Sequence, residues 1–205
     1  MRGILWYDEV YRPSEDTYLL LRAALAEVRP EDAVLEVGSG SGYISRHLKA
    51  RARSVLATDI NPYAALMTRA EGVETVRADL FSGLKGRFDL IIFNPPYLPT
   101  TMEERTMSWM ERALDGGESG RETISRFLEG LKDHLNPEGR ALLVVSSLTG
   151  PKEVLEKAAS EGLSAEPVAE ERLFFEQLYV LRLDLAQEAS RGSRRLGHRP
   201  LTGLI

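Results

Sequence analysis

Asn94-Pro95-Pro96-Tyr97 stands directly after the run Asp89-Leu90-Ile91-Ile92-Phe93, so an apolar strand delivers it to the end of a sheet. Two consecutive prolines fix φ and remove backbone donors, and Pro96 forces Pro95 toward an extended conformation. The result is a rigid corner that presents acceptors. The Asn94 side-chain oxygen and the Pro95 carbonyl can each take a hydrogen bond from an NH₂ group. An amide or aromatic amino nitrogen is a poor nucleophile because its lone pair is delocalised. Two acceptors pulling on its hydrogens favour a more tetrahedral nitrogen and aim the lone pair at an electrophile, through orientation and electrostatics and without a strong base. Tyr97 offers a ring to stack on the planar target. The plain alternative is a proline turn that only terminates a buried strand.

An earlier strand ends in Glu36-Val37-Gly38-Ser39-Gly40-Ser41-Gly42-Tyr43, where glycines let backbone approach a ligand as the chain turns into a helix. The dinucleotide fingerprint needs a glycine at the position of Tyr43, and here the third glycine arrives one residue early. This spacing speaks against a nicotinamide dehydrogenase and favours an adenosyl ligand without pyrophosphate. Asp59 follows Gly40 by 19 residues, where a carboxylate can accept from both ribose hydroxyls. Asp79-Leu80 follows a third strand; Asp79 can meet the adenine amino group or merely cap a following helix. A sulfonium ligand bearing an ammonium group suits a rim made by Glu36, Asp59 and Asp79. S-adenosyl-L-methionine is therefore the expected cofactor, and methyl transfer to nitrogen the expected reaction.

These residues need a frame that gathers several strand ends. Ser14 can cap a helix over residues 14–28, with Tyr18, Leu21, Leu25 and Val28 at helical spacing. Strand-like runs at 33–37, 54–58, 73–77, 88–93 and 140–146 alternate with helical stretches near 43–50, 63–70, 121–134 and 152–160, which predicts a parallel sheet covered on both faces. Residues 167–172 and 174–183 read as a closing hairpin. The expected fold class is α/β, a doubly wound, mostly parallel sheet with an antiparallel C-terminal strand. The one long connection, 98–120, carries Met102, Met107, Trp109 and Met110 beside Gly116 and Gly117, and is expected to be a mobile cover over the target.

At 205 residues and 43% hydrophobic content, one domain over residues 1–186 is expected, with a basic, flexible tail over 187–205. No run approaches the roughly 18 apolar residues of a membrane span and no secretory signal opens the chain, so a soluble, cytoplasmic protein without membrane association is expected. With no cysteine and three scattered histidines, His47, His134 and His198, no metal site is expected. Arg191, Arg194, Arg195 and Arg199 concentrate positive charge in the tail and leave a body of about −9 out of the −5 total. An acidic body disfavours nucleic acid, whose affinity comes mostly from clustered Lys and Arg.

Arg12-Pro13-Ser14-Glu15-Asp16-Thr17, the 36–42 turn, Asp59, Asp79-Leu80, Asn94-Pro95-Pro96-Tyr97, and Asp115-Gly116-Gly117 with Gly120-Arg121 together resemble the HemK-like release-factor glutamine methyltransferases, in their short archaeal and eukaryotic form. The resemblance covers roughly residues 7 to 184. It implies a Rossmann-like class I methyltransferase fold and N5-methylation of the glutamine in the GGQ loop of a class 1 peptide chain release factor. It also implies a small zinc-binding activator protein on an open sheet edge at the third strand. Implied at the cofactor are Thr17, Glu36, Gly38, Gly40, Asp59, Ile60, Asp79, Leu80 and Asn94, with Asn94, Pro95, Pro96 and Tyr97 at the reaction. The acceptor corner is shared with DNA adenine and RNA guanine methyltransferases, so a nucleic-acid amino-methyltransferase, which would have to flip a base, stays as an alternative, as does lysine methylation.

Overall fold

The computed structural model describes residues 7–101 and 108–186; the arginine-bearing tail and Met102 and Met107 lie outside the described residues. After a single 3₁₀ turn, Tyr7–Glu9, the chain runs α1 (Glu15–Glu27), β1 (Ala33–Val37), α2 (Tyr43–Leu48), β2 (Ser54–Asp59), α3 (Pro62–Ala70), β3 (Glu74–Arg77) and β4 (Phe88–Phe93). It continues through α4 (Trp109–Arg112), α5 (Glu122–His134), β5 (Leu135–Ser146), α6 (Pro151–Ser160), β6 (Leu163–Arg172) and β7 (Gln177–Leu185). The strands form one sheet in the order β3-β2-β1-β4-β5-β7-β6. The first five are parallel, and β7 is antiparallel to both its neighbours. Among the described residues no helix is long and apolar enough to cross a membrane.

Side chains alternate across a strand, and the central strands bury both faces. Leu35, Val37, Ile91, Phe93, Leu143 and Val145 pack with Phe127 and Leu128 of α5 and Val154 of α6 on one side. Val34, Leu90, Ile92, Leu142 and Val144 pack with Leu19, Leu20 and Ala24 of α1 and Ile44 of α2 on the other. Burial on both faces explains why β4 reads as a continuous apolar run. At the amino ends of the strands Arg140, only 1% exposed, donates to both oxygens of Asp32 at 3.1 and 2.7 Å, to the Asp89 carbonyl at 2.9 Å and to the Glu27 carbonyl. This buried cluster ties the end of α1 to the sheet, at the opposite edge from the glycine turn.

Some local expectations shift. Helix α1 begins after Ser14, but that hydroxyl makes no cap bond and donates to Glu15 instead. Its buried face is Asp16, Thr17, Leu19–Leu21, Ala23 and Ala24; of the expected stripe Leu21 is buried and Leu25 and Val28 pack against the same cluster, while Tyr18 is 43% exposed. Strand β6 starts at Leu163 and passes through Pro167 with a shift of register between Pro167 and Ala169, as an edge strand permits. Strand β7 starts only at Gln177, leaving Phe174 and Phe175 in the turn.

Candidate functional site

Strand order reverses between β1 and β4, since β2 and β3 extend the sheet one way and β5, β7 and β6 the other. Open α/β sheets bind ligands in the crevice beyond the carboxyl ends at such a point. A cleft of about 330 Å³ lies there, lined by the ends of β1, β2 and β4, the start of α1 and residues 78–80.

The glycine turn forms the cleft floor. Gly38 has φ +64°, and a Cβ there would meet the Phe93 ring at 3.2 Å. Gly42, with φ +74°, sits against α3 so closely that a Cβ would approach the Thr68 Cα to 2.9 Å. The early third glycine is thus a packing requirement of the turn. Glu36, fully enclosed, accepts from the Ser45 amide at 2.8 Å and from the Ser45 hydroxyl. Burial pushes its carboxyl up to about 8, against the lowering by these bonds and with the help of nearby Asp59.

Asp59 accepts from the Gly40 and Asn61 amides at 2.8 Å each, one on each oxygen. Burial raises its carboxyl above the usual range in spite of these amides. The Ile60 amide also favours this carboxylate, and of the roughly four lone-pair sites of a carboxylate capacity remains for a ligand hydroxyl. Asn61, which sequence reasoning passed over, caps α3 by accepting from the Tyr63 amide at 2.9 Å and donates to the Glu9 carbonyl at 2.8 Å. An Asn-Pro pair at a helix start was the available signal. Ile60 stands partly exposed at the mouth. Asp79 meets Arg126 of α5 at 2.7 Å. No helix follows it, since residues 79–83 form turns, so the capping alternative fails. Leu80 has φ +50°, a conformation costly for a side-chain-bearing residue and typical of ligand sites.

The acceptor corner adjoins this floor. Asn94 Nδ2 donates to Asp16 Oδ2 at 3.0 Å. A carboxylate oxygen only accepts here, so the amide must present nitrogen to Asp16 and its oxygen elsewhere. That Asn94 Oδ1 is buried and has no hydrogen-bond partner. The same Asp16 oxygen accepts from the Tyr11 hydroxyl at 3.0 Å and the Tyr97 hydroxyl at 3.4 Å. The other oxygen takes the Thr17 amide at 2.6 Å and the Thr17 hydroxyl at 3.1 Å. Burial, then the Asp16 charge, hold both tyrosine hydroxyls protonated well above their ordinary range. Asp16 is therefore the hub of the corner. Sequence reasoning missed that role because an acid in a first helical turn reads as an N-terminal charge; its buried partners are 78 and 81 residues away. Tyr97 was expected to contribute its ring, and its hydroxyl proves to fix that ring in place. Pro95 and Pro96 line the cleft beside it.

The 98–120 connection is tied down where it is described. Leu98 and Thr100 donate to the Leu114 and Gly117 carbonyls at 3.1 and 3.0 Å, and Gly116 donates back to Leu98 at 2.9 Å. Trp109 lines the cleft, its amide held by Glu9 at 2.7 Å and its ring faced by the Arg77 and Arg112 guanidiniums at 5.9 and 4.9 Å. The Gly116-Gly117 end is thus a hydrogen-bonded seam.

Comparisons with known proteins agree with this geometry. The profile described as "Methyltransferase small domain" matches residues 14–167. A Methanocaldococcus jannaschii protein provisionally named a protein N5-glutamine methyltransferase is 40% identical over 182 residues, 85% of this chain and 91% of its own length. The human methyltransferase HEMK2 is 36% identical over 86% of this chain and 90% of its own. The structure of the E. cuniculi Mtq2–Trm112 complex, responsible for the methylation of the translation termination factor eRF1, contains a similar chain. It superposes with a TM-score of 0.73 at 30% identity, over 87% of this chain and 99% of that one.

Proposed function

Because the chain belongs to the small-domain methyltransferases, in their HemK-like branch, we propose that it N5-methylates the glutamine of the GGQ loop of a class 1 peptide chain release factor, in the cytoplasm. The observation that carries this reading is the buried, partnerless Asn94 Oδ1, turned away from Asp16. A buried acceptor left unpaired costs about 1–3 kcal/mol, and a substrate NH₂ group would relieve it. The Asn94 oxygen and the Pro95 carbonyl take the two amide hydrogens, which concentrates the lone pair on nitrogen and orients it. Tyr97, braced through Asp16, stacks on the amide plane. The surplus proton of the methylated nitrogen leaves to solvent.

The donor site fits S-adenosyl-L-methionine. Asp59 has lone pairs to spare for ribose hydroxyls, Leu80 is held in a strained conformation beside Asp79, and Glu36 and Asp59 place polar carboxyl groups beside the glycine turn. Thr17, Gly38, Gly40 and Ile60 complete the residues that would hold it. When bound, this molecule supplies the electrophilic methyl group.

A small zinc-binding activator would complete the enzyme at β3. That strand is an uncovered edge of the sheet, and Ile60, Tyr63, Leu66 and Val76 expose apolar surface around it. An open edge invites a partner strand. The other edge, β6, is interrupted at Pro167.

The test offers release factor, its Gln→Ala variant and duplex DNA to the enzyme with labelled cofactor, with and without activator. Label in the release factor alone is the expected result. Label in DNA, or equally in the variant, refutes the glutamine assignment; full activity without a partner refutes only the activator.

A further inference from the structure

The exposed large apolar side chains fall mainly into two groups. One surrounds β3, as described. The other is at the opposite end of the sheet, where the β6–β7 turn carries Phe174 and Phe175, 92% and 86% exposed. Arg172 pairs with Gln177 and Ser146 with Leu178, so this turn stands beyond the carboxyl end of β5, on the same edge as the cleft. The turn is braced: Leu173 donates to the Glu176 carbonyl at 2.8 Å, the Ser146 hydroxyl donates to the Glu176 carboxylate, and the two phenylalanine rings meet edge to face at 4.6 Å. Leu173 and Tyr97 pack against the same buried cluster, which joins the base of the tip to the acceptor corner.

We propose that Phe174 and Phe175 form a docking tip for the apolar flank of the protein substrate beside its methyl-accepting loop. This rests on the release-factor reading. A cleft of about 330 Å³ is of small-molecule size, so affinity for a folded substrate must come from surface outside it. Rigid, pre-ordered aromatics supply such affinity with little ordering cost. The surrounding carboxylates Glu170, Glu171 and Glu176 still outnumber Arg172 and Arg22, the latter paired with Glu171, which favours a protein surface over a phosphate backbone. Because the tip and β3 are at opposite ends of the strand order, the tip stays open when a partner occupies that edge.

The test compares wild type with the Phe174→Ser/Phe175→Ser double variant, full chain with activator, on intact release factor and on a short peptide spanning the GGQ sequence. Both side chains are solvent-exposed, so folding and adenosylhomocysteine affinity, followed by thermal melting and calorimetry, should not change. For the intact factor KM should rise at least about tenfold, the scale of an aromatic anchor, with kcat within about threefold and peptide turnover unaltered. An unchanged KM with an active wild type overturns the docking tip alone, and so does an equal loss on the peptide. If KM is unmoved while a dimer dissociates or single-stranded RNA binding is lost, the occupant is a second copy or RNA, and the proposal fails. A wild type that leaves the glutamine unmodified overturns the release-factor reading and the tip with it.

Discussion

Asp16→Asn is the sharpest perturbation of the acceptor corner. The replacement is isosteric, yet one of the two oxygens that now accept from five donors becomes an NH₂ group. Thr17 presents its amide and hydroxyl to one oxygen at 2.6 and 3.1 Å, so the remaining oxygen stays on that side and the new NH₂ faces Asn94 and the tyrosines. Two donors then confront each other, and Asn94 relieves the conflict by rotating its amide half a turn. Its own NH₂ would point where the acceptor stood. The substrate loses one hydrogen bond, about 0.5–1.5 kcal/mol, and meets a desolvated donor, about 1–3 kcal/mol. A net transition-state loss of about 2–4 kcal/mol corresponds to a fall in kcat of about 30- to 900-fold. Single-turnover rates give the chemical step, and calorimetry with adenosylhomocysteine separates it from binding: Thr17 keeps its bonds to the remaining oxygen, so any loss of affinity passes through the turned Asn94 amide alone and should stay well below the loss in kcat. A variant that retains kcat within about threefold would falsify the claim that Asp16 orients Asn94.

Two further outcomes follow from the cleft floor. Asp59→Ala should weaken adenosylhomocysteine binding by about 1.5–3 kcal/mol, roughly 10- to 150-fold in Kd, through loss of a charge-assisted contact; unchanged calorimetric affinity would remove Asp59 from the ribose site. Burial raises Glu36 from an ordinary 4.5 to about 8, so its protonated form is favoured on folding. The stability this contributes is fully present below about pH 4.5 and lost as pH rises through 8. Glu36→Gln cannot ionise, and its melting temperature should gain on that of wild type between pH 5 and about 8.5; a gap that stays constant across that range would contradict the burial of a protonated carboxyl.

What depends on local backbone and short-range pattern is legible in the chain's residues alone. Prolines at 95 and 96 restrict φ wherever they stand, a glycine is favoured where φ is positive and required where a Cβ would come within 2.9 Å of a neighbouring helix backbone, as at Gly42, and alternation of apolar runs with helical stretches points to a parallel sheet with acids at its strand ends. Those local features alone put Glu36, Asp59 and Asn94 at one edge of the sheet. What joins residues 78 or 81 positions apart, as Asp16 joins Asn94 and Tyr97, has no local signature, because a carboxylate in a first helical turn looks the same whether it faces water or a buried amide. Only the packing of α1 across the sheet decided that Asp16 turns inward and Tyr18 outward. Likewise an apolar Leu-Phe-Phe run reads as strand by composition, and its placement in a turn was decided by the ladder: β7 pairs with β5 only from Leu178 on, which leaves Phe174 and Phe175 past the last strand pair and open to solvent.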